Sequence, residues 1–222
     1  MKKIVALVGA LALVLGIAGC TGAASPGASP STTAPTAAPA VTAIVIGGDA
    51  LRFVDASGAE RRIGYTEPLA DVLSAVEDAV GPQTGTTEFP ATNHTVPATA
   101  HEFGALTITE NHYEGAVDDD VLVAPVWTVS TTAAAVQGVD IAASTGVAVG
   151  SAVNDIPGHA DADRLDVVTV DGAASVYILV EASPGSVLVP DATSTAVGVL
   201  AAASPWPGPI TRLSAPSQFG GA

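Results

Sequence analysis

One cysteine, one methionine and two lysines serve a chain of 222 residues, and aromatic side chains make up only 4% of it. Each scarcity excludes something. A single cysteine rules out an internal disulfide framework and a zinc site built from several thiolates. With so few aromatic rings, a core must be assembled from Val, Leu, Ile and Ala, which the 48% apolar composition supplies. The lysines stand at positions 2 and 3; beyond them five arginines face 22 acids, and the formal net charge is −15. A phosphate backbone and an anionic membrane surface are both repelled by such a field, so nucleic acid is not an expected partner.

Catalytic motifs are scarce as well. The chain has no G-x-S-x-G elbow, and no serine stands in a strand–turn–helix context with the right flanks. Ser151, after Gly150, reads as the cap of a short helix. There is no H-E-x-x-H pair, and no two histidines are four residues apart. His94, His101, His112 and His159 fall in segments that read as loops, with Glu102, Glu110, Asp161 and Asp163 near them in sequence. Exposed loop residues are the simpler account of these groups, and a transition-metal site is the alternative. "ENHYEGAVDDD" carries Glu110, Glu114, Asp118, Asp119 and Asp120, and "HADADRLD" carries Asp161, Asp163 and Asp166. Oxygen ligands at such spacing suit calcium, yet neither stretch matches the D-x-D-x-D-G loop with its closing glutamate, so solvated acidic loops are expected and no cofactor is assigned. Trp127, Trp206, Tyr65, Tyr113 and Tyr177 line a sugar or peptide groove only if they gather on one face. No residue is therefore assigned a catalytic role.

What is present begins at the N-terminus. Lys2 and Lys3 form a positive start, Ile4 to Leu15 an apolar run, and Gly16-Ile17-Ala18-Gly19 a small-residue exit. That order is a signal peptide over residues 1–19, shorter than the ~20 residues that span a bilayer comfortably. Ile17-Ala18-Gly19-Cys20 resembles a bacterial lipobox, a branched apolar residue and two small ones before the cysteine. The resemblance implies cleavage between Gly19 and Cys20 and a diacylglyceryl thioether on Cys20. An ordinary secretory signal that happens to hold a cysteine is the competing account. Two acyl chains hold a protein on a membrane where one does not, at ~0.8 kcal/mol per buried methylene. The expected place is the outer leaflet of the cytoplasmic membrane, on the extracytoplasmic side.

Residues 21–40 (TGAASPGASPSTTAPTAAPA) hold only Ala, Pro, Ser, Thr and Gly. Such a stretch buries too little surface to offset its ordering entropy and reads as a tether, ~25 Å long as a coil and ~60 Å as extended polyproline. Its composition also suits O-glycosylation.

From Val41 to 213 the texture is that of one α+β domain, mostly antiparallel sheet. Val41 to Ile46, Ala50 to Val54 and Glu60 to Ile63 alternate with Gly/Asp turns and predict two successive hairpins. Leu69, Val72, Leu73, Val76 and Val80 form one stripe and predict a long helix over 67–80, with Thr66 as N-cap and Gly81-Pro82 as stop. Residues 82–101 read as a polar loop. Strands are expected at Phe103 to Thr109, Val121 to Ser130, Val139 to Ala143, Asp166 to Val170, Ser175 to Glu181, Ser186 to Val189 and Ala196 to Ala202, with a short helix at 151–157. Residues 214–222 read as a disordered tail. Each half carries strands around a helix, the pattern of a tandem duplication, though the halves do not align residue by residue.

The lipobox, the tether and the phrase from Trp127-Thr128-Val129 to Thr145-Gly146-Val147-Ala148-Val149-Gly150 together resemble uncharacterised surface lipoproteins of actinobacteria, a resemblance that brings no activity with it. The expected function is a lipid-anchored, non-catalytic domain that binds a wall component, a solute or another exported protein. The alternative is a wall-facing hydrolase with an unrecognised site. A transporter's two-lobed binding protein is disfavoured, because about 180 residues after the tether are short for two lobes.

Overall fold

Alternation and turn chemistry build the first three strands. In β1 (Val41–Ile46) Ile44 and Ile46 point into the core, and in β2 (Ala50–Asp55) Leu51 and Phe53 meet them across an antiparallel ladder, Ile46 opposite Leu51 and Ile44 opposite Phe53. The next turn is closed by Asp55, whose carboxylate accepts from the backbone N–H of Ser57 and Ala59 at 2.8 and 3.0 Å, and Gly58 supplies the left-handed residue at φ 83°. β3 (Glu60–Gly64) then pairs with β2, Ile63 opposite Leu51.

The computed structural model describes residues 40–92, 95–113, 125–159, 165–170, 173–184 and 196–219. The expected helix is α1 (Leu69–Val80), with Val72, Ala75, Val76 and Val80 buried. Its start lies later than expected. Pro68 occupies the N-cap with an extended ψ of 135° and no side-chain capping bond, and as a proline it disfavours helical conformation at Glu67 before it. Thr66 is thus no cap, and Glu67 instead accepts from the Gly64 N–H at 2.8 Å.

The expected loop at 82–101 holds two strands, β4 (Gly85–Phe89) and the first part of β5 (Ala98–Phe103). The expected single strand at Phe103 to Thr109 is divided by a two-residue turn at Gly104 and Ala105 into β5 and β6 (Leu106–Asn111). Gly104 takes a φ of 67°, which glycine alone adopts at little cost, so the apolar run folds back on itself. β7 (Trp127–Thr131), β8 (Ala135–Val136), β9 (Val139–Ala143), β10 (Leu165–Val170), β11 (Ala173–Pro184), β12 (Ala196–Ala203) and β13 (Arg212–Phe219) complete the described strands. The part of the expected strand at 121–124 and the one at Ser186 to Val189 lie outside the described residues. Residues 214–219, expected as disordered tail, belong to β13, which pairs with both β12 and β7.

The short helix expected at 151–157 is one 3₁₀ turn, Val153–Asp155. Pro157 holds Ile156 extended at ψ 120°, and Ser151 turns its hydroxyl back to accept from the Ala148 N–H at 3.0 Å instead of capping forward.

Two sheets result, one of five strands ordered β3-β2-β1-β9-β8 and one of eight ordered β10-β11-β12-β13-β7-β6-β5-β4. The architecture is α+β and strand-dominated, and among the described ladders only β1–β9 is parallel. Because the five-stranded sheet takes β8 and β9 from later in the chain, it joins distant segments. One continuous core runs from Ile44 and Leu51 through Val72 and Val76 of α1 to Trp127, Ile178 and Leu213.

Candidate functional site

The aromatic residues do not gather on one face. Trp127 is fully buried; its indole N–H donates to the Glu67 carbonyl at 3.1 Å and its ring meets Tyr65 edge-on with centroids 4.7 Å apart. Tyr65, also buried, donates to the Gly47 carbonyl at 2.7 Å. Burial, reinforced by the Asp49 and Glu181 charges, pushes its phenol well above the ordinary tyrosine range. Trp206 lines an open cleft of about 370 Å³ with Pro207 and Pro209, and Tyr113 lines another of about 480 Å³ with Phe89 and Asn111. Tyr177 lies on β11, opposite Asp166 and Ala202. Two of the five are structural and three are scattered.

Histidines and acids, by contrast, do meet. Directly opposed residues share a face of a sheet, and Glu88, Thr99, Glu110 and Trp127 stand opposite one another across β4, β5, β6 and β7. The next row holds Thr86, His101, Ile108 and Val129. The face that forms the core at Trp127 and Val129 therefore turns polar towards β4. His112 follows Glu110 by two residues on the same side, its backbone N–H anchored on the Pro97 carbonyl at 2.8 Å.

Hydrogen bonds order this face. Thr99 donates to Glu88 Oε2 at 2.9 Å, and its single hydrogen is thereby committed. His112 Nε2 lies 2.7 Å from the same hydroxyl and must be the donor there. The hydroxyl thus lies between the Glu88 carboxylate, which holds its hydrogen, and the His112 imidazole. On the other side, Gln83 Nε2 donates to the Gly85 carbonyl at 2.9 Å, which turns its Oε1 towards His101 Nδ1 at 3.2 Å. In the neutral ring Nδ1 therefore carries the proton and Nε2 is left with a bare lone pair. That nitrogen is shut away from solvent and has no hydrogen-bond partner. Glu110 Oε2 stands 3.8 Å from His101 Nε2 and 3.8 Å from His112 Nε2.

Of the groups singled out in the sequence, the fold thus brings His101, Glu110 and His112 together and adds Glu88, Thr99 and Gln83, which sequence reasoning missed. A hairpin centred on Gly104-Ala105 was the signal that would have aligned Thr99 with Glu110. Glu102 points to the opposite face, where it accepts from the Thr87 hydroxyl at 2.8 Å. His159 is apart, its Nδ1 2.9 Å from the Ile156 carbonyl at the 3₁₀ turn. Cys20, His94, Glu114, Asp118, Asp119, Asp120, Asp161 and Asp163 lie outside the described residues, and Asp166 is exposed on β10. As they stand, no three His, Cys, Asp or Glu side chains among the described residues are arranged to hold a metal ion.

A second polar cluster ties the two sheets together. Glu181 of β11 accepts from the Gly48 N–H at 3.2 Å and from the Ser144 hydroxyl, while Asp49 in the same turn pairs with Arg62 at 2.9 Å. Arg62 holds the Asp49 carboxyl below the usual carboxylate range. Every polar group here has its partner, which marks a structural clamp.

No described helix is long and apolar enough to cross a membrane. Compared with known proteins, the chain matches no family model, no curated protein and no solved structure.

Proposed function

We propose that the chain is an extracytoplasmic lipoprotein, fastened through acylated Cys20 to the outer leaflet of the cytoplasmic membrane, whose domain binds a ligand and does not turn one over. The ligand is a wall component, a small solute or another exported protein. The observation that carries the anchoring is the ordered run of Lys2-Lys3, the apolar segment and Ile17-Ala18-Gly19-Cys20, followed by a tether with no charge. The binding reading is supported by the polar β4–β6 face, which offers donors and acceptors around Glu88, Thr99, His101, Glu110 and His112.

Radiolabelled fatty acid fed to producing cells tests the anchor. The wild-type chain should take up label and partition into detergent, and Cys20→Ala should do neither. Labelling of the Cys20→Ala chain overturns the assignment.

A further inference from the structure

We propose that His101 Nε2, Glu110 Oε2 and His112 Nε2 take a divalent transition-metal ion of the zinc class. This inference rests on the reading of the β4–β6 face as the ligand-binding face. His101 is the starting point. Its side chain is only 15% exposed, and its Nε2 is buried without a partner. A buried acceptor with nothing to accept is costly, and a cation or a proton relieves it. Gln83 favours the metal-binding form: by holding the proton on Nδ1 it leaves Nε2 free, as oxygen acceptors behind metal-bound imidazoles commonly do.

The donor set selects the class of ion. Two imidazole nitrogens and one carboxylate oxygen suit zinc and its neighbours, whereas calcium and magnesium prefer oxygen alone. The strongly negative chain also concentrates cations around it.

The geometry is close, though not yet closed. Both nitrogens are 3.8 Å from one oxygen, whereas ligands about 2.1 Å from a tetrahedral ion lie roughly 3.4 Å apart. His101 is held in place, so the movement falls to Glu110 and His112, whose side chains are 32% and 42% exposed. His112 must release Thr99, whose hydroxyl keeps its bond to Glu88. His112 donates through the nitrogen that would bind the metal, so its Nε2 proton has to leave or move to Nδ1, and binding weakens on acidification.

Zinc titration of the full chain in detergent, stripped with EDTA beforehand, tests the site. A chromophoric chelator reports occupancy and thermal unfolding reports linkage. Cys20→Ala serves as the background, so that an unacylated thiol cannot supply a ligand and a failed anchor is read separately from a failed metal site. One equivalent should bind with a raised Tm. His101→Ala and His112→Gln should each lose at least tenfold in affinity, Gln83→Ala should lose about tenfold, and His159→Ala should be unchanged. His112 lies just past the end of β6 with its side chain partly exposed, so His112→Gln keeps the test open should His101→Ala fail to fold. No binding up to millimolar zinc overturns the proposal, as does a raised Tm with calcium but none with zinc, or an equal loss in His159→Ala.

Discussion

At the scale of single residues, the scarce aromatic side chains hold structural posts. Trp127 and Tyr65 stack inside the core, and each donates its one polar hydrogen to a backbone carbonyl, so neither leaves a buried donor unmet. Tyr65 has a consequence for pH. Its folded pKa is raised above the ordinary value of 10.0, so the neutral phenol contributes stability that is fully present below pH 10 and declines as the pH rises towards the folded value. Tyr65→Phe should be about 1 kcal/mol less stable at neutral pH, through the lost bond to Gly47. It should also lose less stability than the wild type between about pH 8 and 11. Urea unfolding across that range checks this, and parallel alkaline losses in the two proteins count against it. The scarcity of aromatics was plain in the sequence, but which rings pack and which line clefts was not, because burial depends on partners distant along the chain.

At the scale of elements, strands separated by Gly/Asp turns were legible, whereas an apolar run broken by one glycine was not. β9 matches its expected bounds, and the pairing of β10 with β11 matches the hairpin expected around Asp171-Gly172. The β5–β6 hairpin was misjudged because Phe103, Leu106 and Ile108 look like one apolar run until Gly104 is given its left-handed φ. Irregularity also matters in the long β11–β12–β13 ladders, whose registers shift between Leu179 and Glu181 and between Gly198 and Leu200. Gly198 lies at that shift, and a Cβ there would stand 1.8 Å from the Glu181 carbonyl oxygen. Gly198→Ala should therefore cost about 3 kcal/mol through overpacking, unless the strands separate. Gly58→Ala, with nothing within 4 Å of its Cβ, should cost roughly 1–2 kcal/mol from its positive φ alone. Denaturant midpoints of the two variants decide the matter; equal losses would mean that the close approach in β12 is relaxed at no cost.

At the scale of the whole molecule, one core and one clamp unite the sheets. Glu181 reaches from the eight-stranded sheet to Gly48 and Ser144 at the end of the five-stranded one. Glu181→Ala removes the acceptor of the buried Gly48 N–H and should cost about 1–3 kcal/mol, whereas Glu181→Gln keeps an acceptor and should cost less. Because the core is continuous, unfolding should stay a single transition in both variants. Two calorimetric transitions in Glu181→Ala would show the sheets to be separate folding units. None of this was visible in the sequence, where Glu181 is one acid among 22.

The sequence by itself determined what depends on local order: the cationic start, the apolar run and the lipobox-like tetrapeptide that ends in the only cysteine, the helix stripe from Leu69 to Val80, and the strongly acidic balance. Tertiary structure alone decided what depends on register. It set Glu110 between His101 and His112, committed Thr99 to Glu88, and sent Glu102, one residue from His101, to the other face. The physical reason is the two-residue period of a strand. A shift of one position moves every side chain across the sheet, and that shift is fixed by pairing with distant strands and by turn geometry, not by the residues' own chemistry.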